Sequence, residues 1–113
     1  MRPIVVTAST SQTTSNLVRF DEWAFPQISI QCSVSTAGLN YTVQQSLDDP
    51  NDPTNPVPLA NMTWINHPDT NLVSATTSVQ SNYAYCPRYA RVVLNSGIGT
   101  VTATFIQSNA VTL

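Results

Sequence analysis

Gln27-Ile28-Ser29-Ile30-Gln31-Cys32-Ser33-Val34-Ser35 alternates polar and apolar residues without a break. Successive side chains of a strand point to opposite faces, so Ile28, Ile30, Cys32 and Val34 share one face and Ser29, Gln31, Ser33 and Ser35 the other. Such a strand is antiparallel, with one side on a core and the other toward solvent. Thr100 to Gln107 repeats the pattern: Val101, Ala103 and Phe105 alternate with Thr100, Thr102 and Thr104.

Working outward, Gly38 supplies a turn after the first of these strands, and Asn40 to Leu47 reads as its partner. Tyr41, Val43 and Leu47 share a face on which Gln45 is the one polar residue. Tyr89 to Leu94 and Thr100 to Gln107 read as a hairpin around Gly97 and Gly99. Shorter strands are expected at Ile4 to Ala8, Leu17 to Phe20, Met62 to Ile65 and Val73 to Val79. No window has the 3.6-residue period of a long helix, and Pro26 closes the most helix-like stretch, Phe20 to Phe25. The expectation is an all-β antiparallel sandwich of about seven strands, immunoglobulin-like or jelly-roll-like. Residues 1–15 form an N-terminal strand or arm, and 16–113 a single sandwich domain. The antibody-type pattern itself fails: Trp64 lies too far beyond Cys32, and Ala84 stands two before Cys86.

The composition restricts function. Of 113 residues only 9% are charged and none is lysine, where about a quarter charged is usual. Hydroxyls and amides must therefore form the surface. Arg2, Arg19, Arg88 and Arg91 are scattered, which argues against nucleic acid. No apolar run approaches the ~20 residues of a membrane span, and residues 1–10 do not read as a secretory signal. Synthesis in a cytoplasm is expected, with Cys32 and Cys86 as free thiols, Cys32 in the core.

Chemistry-bearing motifs are few. His67 sits in a proline-flanked turn with no nucleophile motif near it and reads as a solvated histidine rather than a catalytic base, so no enzyme is expected. The run Asp48 to Pro58 holds four prolines and cannot be a central strand. Within it Asp48, Asp49 and Asp52, with Asn51, are the best metal candidate, since calcium favours clustered hard oxygens. Their spacing misses the EF-hand pattern, and Asp-Pro is also an ordinary turn starter, so no cofactor or metal is assigned. Tyr83, Tyr85 and Trp23 would make a sugar-stacking platform if exposed in one patch; core packing is the alternative.

Three segments resemble small virion proteins of tailed bacteriophages: Asn40-Tyr41-Thr42-Val43-Gln44-Gln45-Ser46-Leu47-Asp48-Asp49-Pro50, Arg91-Val92-Val93-Leu94-Asn95-Ser96-Gly97, and Gly99-Thr100-Val101-Thr102-Ala103-Thr104-Phe105-Ile106-Gln107. The resemblance implies a capsid decoration or cement protein at the virion surface, or a small head-fibre, neck or tail component, without an active site. It implies a major capsid or other virion protein as partner and a homo-oligomer, with a trimer favoured. A receptor- or carbohydrate-binding module of a fibre or spike is the alternative. The residues expected to make contacts are Arg2 and Ile4 in the N-terminal arm, Pro53 and Pro56 in the loop, and the aromatics Trp23, Tyr83 and Tyr85.

Overall fold

The computed structural model describes residues 3–20, 27–83 and 85–107, and in it both strictly alternating stretches are strands. Eight strands form among the described residues: β1 (Ile4–Ser9), β2 (Val18–Arg19), β3 (Ile28–Val34), β4 (Asn40–Ser46), β5 (Ile65–Asn66), β6 (Val79–Tyr83), β7 (Tyr89–Ser96) and β8 (Thr100–Gln107). Two single 3₁₀ turns, Leu59–Asn61 and Thr70–Leu72, interrupt the long loops. The front sheet has the order β1-β8-β3-β6 and the back sheet β2-β7-β4-β5, and every pairing is antiparallel.

The pairings β1 with β8, β2 with β7, β3 with β6 and β4 with β5 describe one long hairpin, its tip at β4 and β5, rolled into two sheets. That is the jelly roll, with two Greek keys and eight strands. The immunoglobulin-like alternative therefore gives way to the jelly-roll one.

Two expected local pairings are corrected. β3 and β4 are not a hairpin, and neither are β7 and β8; each pair is split between the sheets. Gly38 and Gly97 instead turn the chain across the sandwich, with φ of +87° and +99°. The two crossovers pack together: Ser35 N–H donates to the Thr100 carbonyl at 3.0 Å, Thr36 Oγ1 to the Ile98 carbonyl at 2.9 Å. A Cβ on Gly97 would lie 2.6 Å from the Gly38 carbonyl oxygen, whereas one on Gly38 would meet open space. The sixth strand is Val79–Tyr83 rather than Val73 to Val79, because Ser74 takes a φ of +52° and Ala75 makes only a bridge to Tyr41. The N-terminal segment is not a free arm: β1 pairs along its whole length with β8.

Inward side chains from both sheets make one core, including Val6, Ile28, Ile30, Val101 and Phe105 from the front and Val18, Tyr41, Val43 and Val92 from the back. Each such aliphatic or aromatic group contributes about 1.5–3 kcal/mol when fully buried. Phe20 meets Phe105 edge to face at 5.8 Å. Cys32 is buried among these groups as a free thiol, pushed up to about 12 by desolvation, so it acts as a small apolar side chain. Tyr41 spans the core and donates its hydroxyl to the Thr77 carbonyl at 2.7 Å.

Gly38→Ala should cost about 1–2 kcal/mol, the left-handed penalty alone. Gly97→Ala should cost more, because the clash with the Gly38 backbone adds to that penalty. Urea midpoints of the two variants check the ranking.

Candidate functional site

None of the four strands of the front sheet contains an Asp, Glu, Lys, Arg or His. Its outward side chains form rows set by the register. Val5 lies beside Thr104, Thr104 beside Gln31, and Gln31 beside Gln80; Thr7, Thr102 and Ser33 form the next row. Gln80 Nε2 donates to Gln31 Oε1 at 3.0 Å, so two amides on this face are tied together. A shallow depression of about 340 Å³ lies between Ser29, Gln31, Gln80, Thr104 and Ile106. Val5 and Ile106 are the exposed apolar members of the face.

The charges of the described residues lie elsewhere. Arg19 and Arg91 are on back-sheet strands, Arg88 just before β7, and Asp48, Asp49, Asp52 and Asp69 in loops. Arg91 stacks on Trp64, its guanidinium carbon 4.1 Å from the ring centre, and its Nε and Nη2 donate to Gln44 Oε1. Trp64 is thus half-buried against the back sheet.

The acidic loop is organised by its own carboxylates. Asp49 is buried and pairs with Arg88 Nε at 2.7 Å through one oxygen, while the other accepts the Asn51 N–H. Asp48 accepts the Thr63 N–H at 2.6 Å, which closes the base of the loop. Asp52 accepts the N–H groups of Thr54 and Asn55, which hold its carboxyl below the usual range. The three carboxylates turn to different partners, and among the described residues no group of three His, Cys, Asp or Glu converges as a metal site. Pro53 and Pro56 are exposed at the loop surface.

A second constellation lies where β4 leaves the back sheet. Gln45, the polar exception, is buried, with its amide fully engaged. Tyr83 Oη donates to Gln45 Oε1 at 3.0 Å, and Gln45 Nε2 lies 3.1 Å from Tyr85 Oη and 3.4 Å from the Asn66 carbonyl. Tyr83 therefore belongs to the core, its hydroxyl pushed up by burial, and cannot be a surface platform. Tyr85 is exposed and, with Leu47 and Ile65, lines an apolar cavity of about 400 Å³. Leu47 does not share the inward face of Tyr41 and Val43; it is 76% exposed. The strand stops at Ser46, whose Oγ accepts the Asp48 N–H and swings the chain outward.

His67 is the larger departure from expectation: it is 3% exposed, not solvated. Its backbone N–H donates to the Val43 carbonyl, sealing part of the β4 edge and drawing the side chain inward. Nδ1 accepts the Asp69 N–H at 2.9 Å, the ring packs 4.3 Å from that of Tyr83, and Nε2 is buried without a hydrogen-bond partner. Burial pushes the His67 pKa down. The Asn82 carbonyl, short of hydrogen-bond geometry, and the Asp69 carboxylate oppose that shift.

Of the residues singled out from sequence, Arg2 and Trp23 lie outside the described residues. Ile4 is half-buried and packs against the core, so β1 presents Val5, not Ile4, outward. Cys86 is half-buried, and its sulfur accepts from Gln107 Nε2 at 3.4 Å. The structure brings together Tyr83 and Tyr85, 5.7 Å apart, whereas Ile4 lies on β1, at the opposite edge of the front sheet from β6, and Pro53 and Pro56 lie in the long loop. The chain matches no protein-family model, no curated protein and no solved structure.

Two outcomes follow from this polar cluster. Gln45→Leu leaves the Tyr83 hydroxyl buried without its acceptor and should cost about 1–3 kcal/mol in denaturant unfolding. For His67, the folded-state pKa lies below the unfolded value near 6.5, so the unfolded chain takes up the proton first. Its contribution is full above that value and is lost as pH falls below it. Asp52 and Asp69, both lowered by hydrogen bonds, act only near and below the ordinary carboxylate range. Stability should therefore fall as pH drops through and below the ordinary imidazole range, and His67→Phe should flatten that slope in urea titrations.

Proposed function

We propose that this chain is a non-enzymatic structural protein of a bacteriophage particle, a decoration or cement protein that lies on the capsid and bridges major capsid subunits. One observation carries the reading: four strands of one sheet without an Asp, Glu, Lys, Arg or His, the sheet's outer face made of hydroxyls, amides and two exposed aliphatics. Burying a charge requires a partner, while a hydroxyl or amide needs only a hydrogen bond, and interface centres are correspondingly poor in charge. The back sheet, with Arg19, Arg91 and the loop carboxylates, is then the face left toward solvent.

The fold is compatible with this role, since jelly rolls build viral shells as well as lectins; that support is analogy at the level of architecture. Against acid–base catalysis, the single histidine is buried with Nδ1 engaged by a backbone N–H. The sugar-platform alternative loses Tyr83 to the core. A head-fibre, neck or tail position would use the same face and would differ in copy number.

Thr104→Lys places a charge at the middle of the front face, between Val5 and Gln31. As a surface change it should leave stability within about 0.5 kcal/mol. The number of copies retained on purified particles should fall at least tenfold, read by mass spectrometry. Particles without the protein should also lose resistance to heat and osmotic shock. Full retention of the Thr104→Lys variant would remove the front face as the contact, and unchanged resistance would remove the cementing role.

A further inference from the structure

In the back sheet, the stretches of β7 and β4 that extend beyond the short edge strands find backbone partners. Along β7, Leu94 N–H donates to the Thr13 carbonyl, Ser15 N–H to the Val92 carbonyl and Phe20 N–H to the Arg88 carbonyl. Along β4, Ala75 exchanges both backbone bonds with Tyr41, His67 caps Val43, and β5 covers Gln44 and Gln45. On the front sheet, the Asp69 carboxylate accepts the Ser81 hydroxyl of the edge strand β6 at 2.6 Å. β1 is the other edge strand of that sheet, six residues long. Ser9 exchanges both backbone bonds with Gln12, so its N–H and carbonyl point away from β8. By the strand's period of two, Val5 and Thr7 present their backbone groups on that same outer side. No described residue hydrogen-bonds to them there.

We propose that β1 pairs antiparallel with β1 of a second copy of this chain, joining two front sheets into one continuous sheet across a two-fold axis. The register follows from which groups remain free. Pro3 has no N–H, and the N–H of Ser9 is taken by Gln12. Setting Val5 opposite Val5 places Thr7 against Pro3. Setting Thr7 opposite Thr7 places Val5 against Ser9. Val5 opposite Thr7 of the second copy, with Val6 at the axis, is the register that engages the N–H and carbonyl of both Val5 and Thr7, and it sets Pro3 against Ser9, leaving the Pro3 carbonyl unused. The two residue pairs then exchange about four hydrogen bonds.

A second copy fits this edge for electrostatic reasons as well. Self-pairing normally brings like charges together, but β1 and its neighbour β8 carry none, and the described acidic groups lie in loops off these strands. The edge also lacks the lysine, internal proline or bulge that usually blocks such pairing. This seam is independent of the virion assignment. It is far smaller than the roughly 1,200–2,000 Å² of a standard interface, so it is weak in dilute solution and strengthens where copies are held side by side.

Sedimentation velocity on the full chain, from about 10 μM to about 1 mM, covers the range in which so small a contact populates. The wild type should show a monomer–dimer equilibrium that rises with concentration. Thr7→Pro removes an outward donor, and Thr7→Lys adds like charges across the axis; both should stay monomeric. Thr7→Lys preserves the test if Thr7→Pro does not fold, and thermal melting identifies that case. Hydrogen exchange at high concentration should slow at the Val5 and Thr7 amides. A wild type that stays monomeric at about 1 mM, a trimer, a dimer indifferent to Thr7→Lys, or unprotected Val5 and Thr7 amides in a dimer would each overturn the proposal.

Discussion

The register between β3 and β8, from Ile28 opposite Gln107 to Val34 opposite Val101, is the constraint on which the rest depends. It sets the two strictly alternating strands side by side at the centre of the front sheet. Ile30 lies beside Phe105 and Cys32 beside Ala103 on the inner face, while Gln31 lies beside Thr104 and Ser33 beside Thr102 on the outer. A slip of one residue would turn one strand's apolar row to solvent and its hydroxyls into the core. The core and the uncharged outer face are thus two sides of a single pairing, and neither can be altered without the other.

Periodicity made the individual strands legible, but not their partners. Ile28–Val34 and Thr100–Gln107 announce themselves because every second residue is apolar, and the breakers after Leu47 mark the long loop. Pairing was misread where chain proximity stood in for it. Gly38 and Gly97 look like hairpin glycines, yet they cross between sheets, and the reason is the close stacking of the two crossovers rather than any local turn signal. The rolled hairpin pairs β1 with β8 and β3 with β6, contacts that no short window of sequence contains.

The polar cluster was missed for a related reason. Gln45 broke the apolar phase of its strand, and that break was the one available signal; its meaning needed Tyr83 and Tyr85, some forty residues away, to be placed beside it. His67 looked solvated because prolines and acids surround it in sequence. Its depth comes from capping the Val43 carbonyl at the edge of β4, a tertiary contact. Leu47, conversely, kept the apolar period of a strand that had already ended at Ser46. Local pattern fails where a strand terminates or a loop folds back, because hydrogen bonds to distant backbone then decide which way a side chain turns.

A front sheet without charge exposes the molecule to indiscriminate edge pairing, and the fold limits that hazard by geometry instead of by lysine. In the back sheet, the segment before β2 covers part of β7, and Ala75, His67 and β5 cover stretches of β4; in the front sheet, the Asp69 carboxylate holds Ser81 of β6. On β1 the open stretch is bounded at one end by Pro3, which has no donor, and at the other by Ser9, whose groups are turned back onto Gln12. Among the described residues, that leaves a stretch of β1 two residues wide without backbone partners. It is too short to template extended strand stacking, yet long enough to have one preferred register. An edge reduced in this way discriminates between partners by register and not by charge, which is the form of selectivity open to strands without acidic or basic side chains.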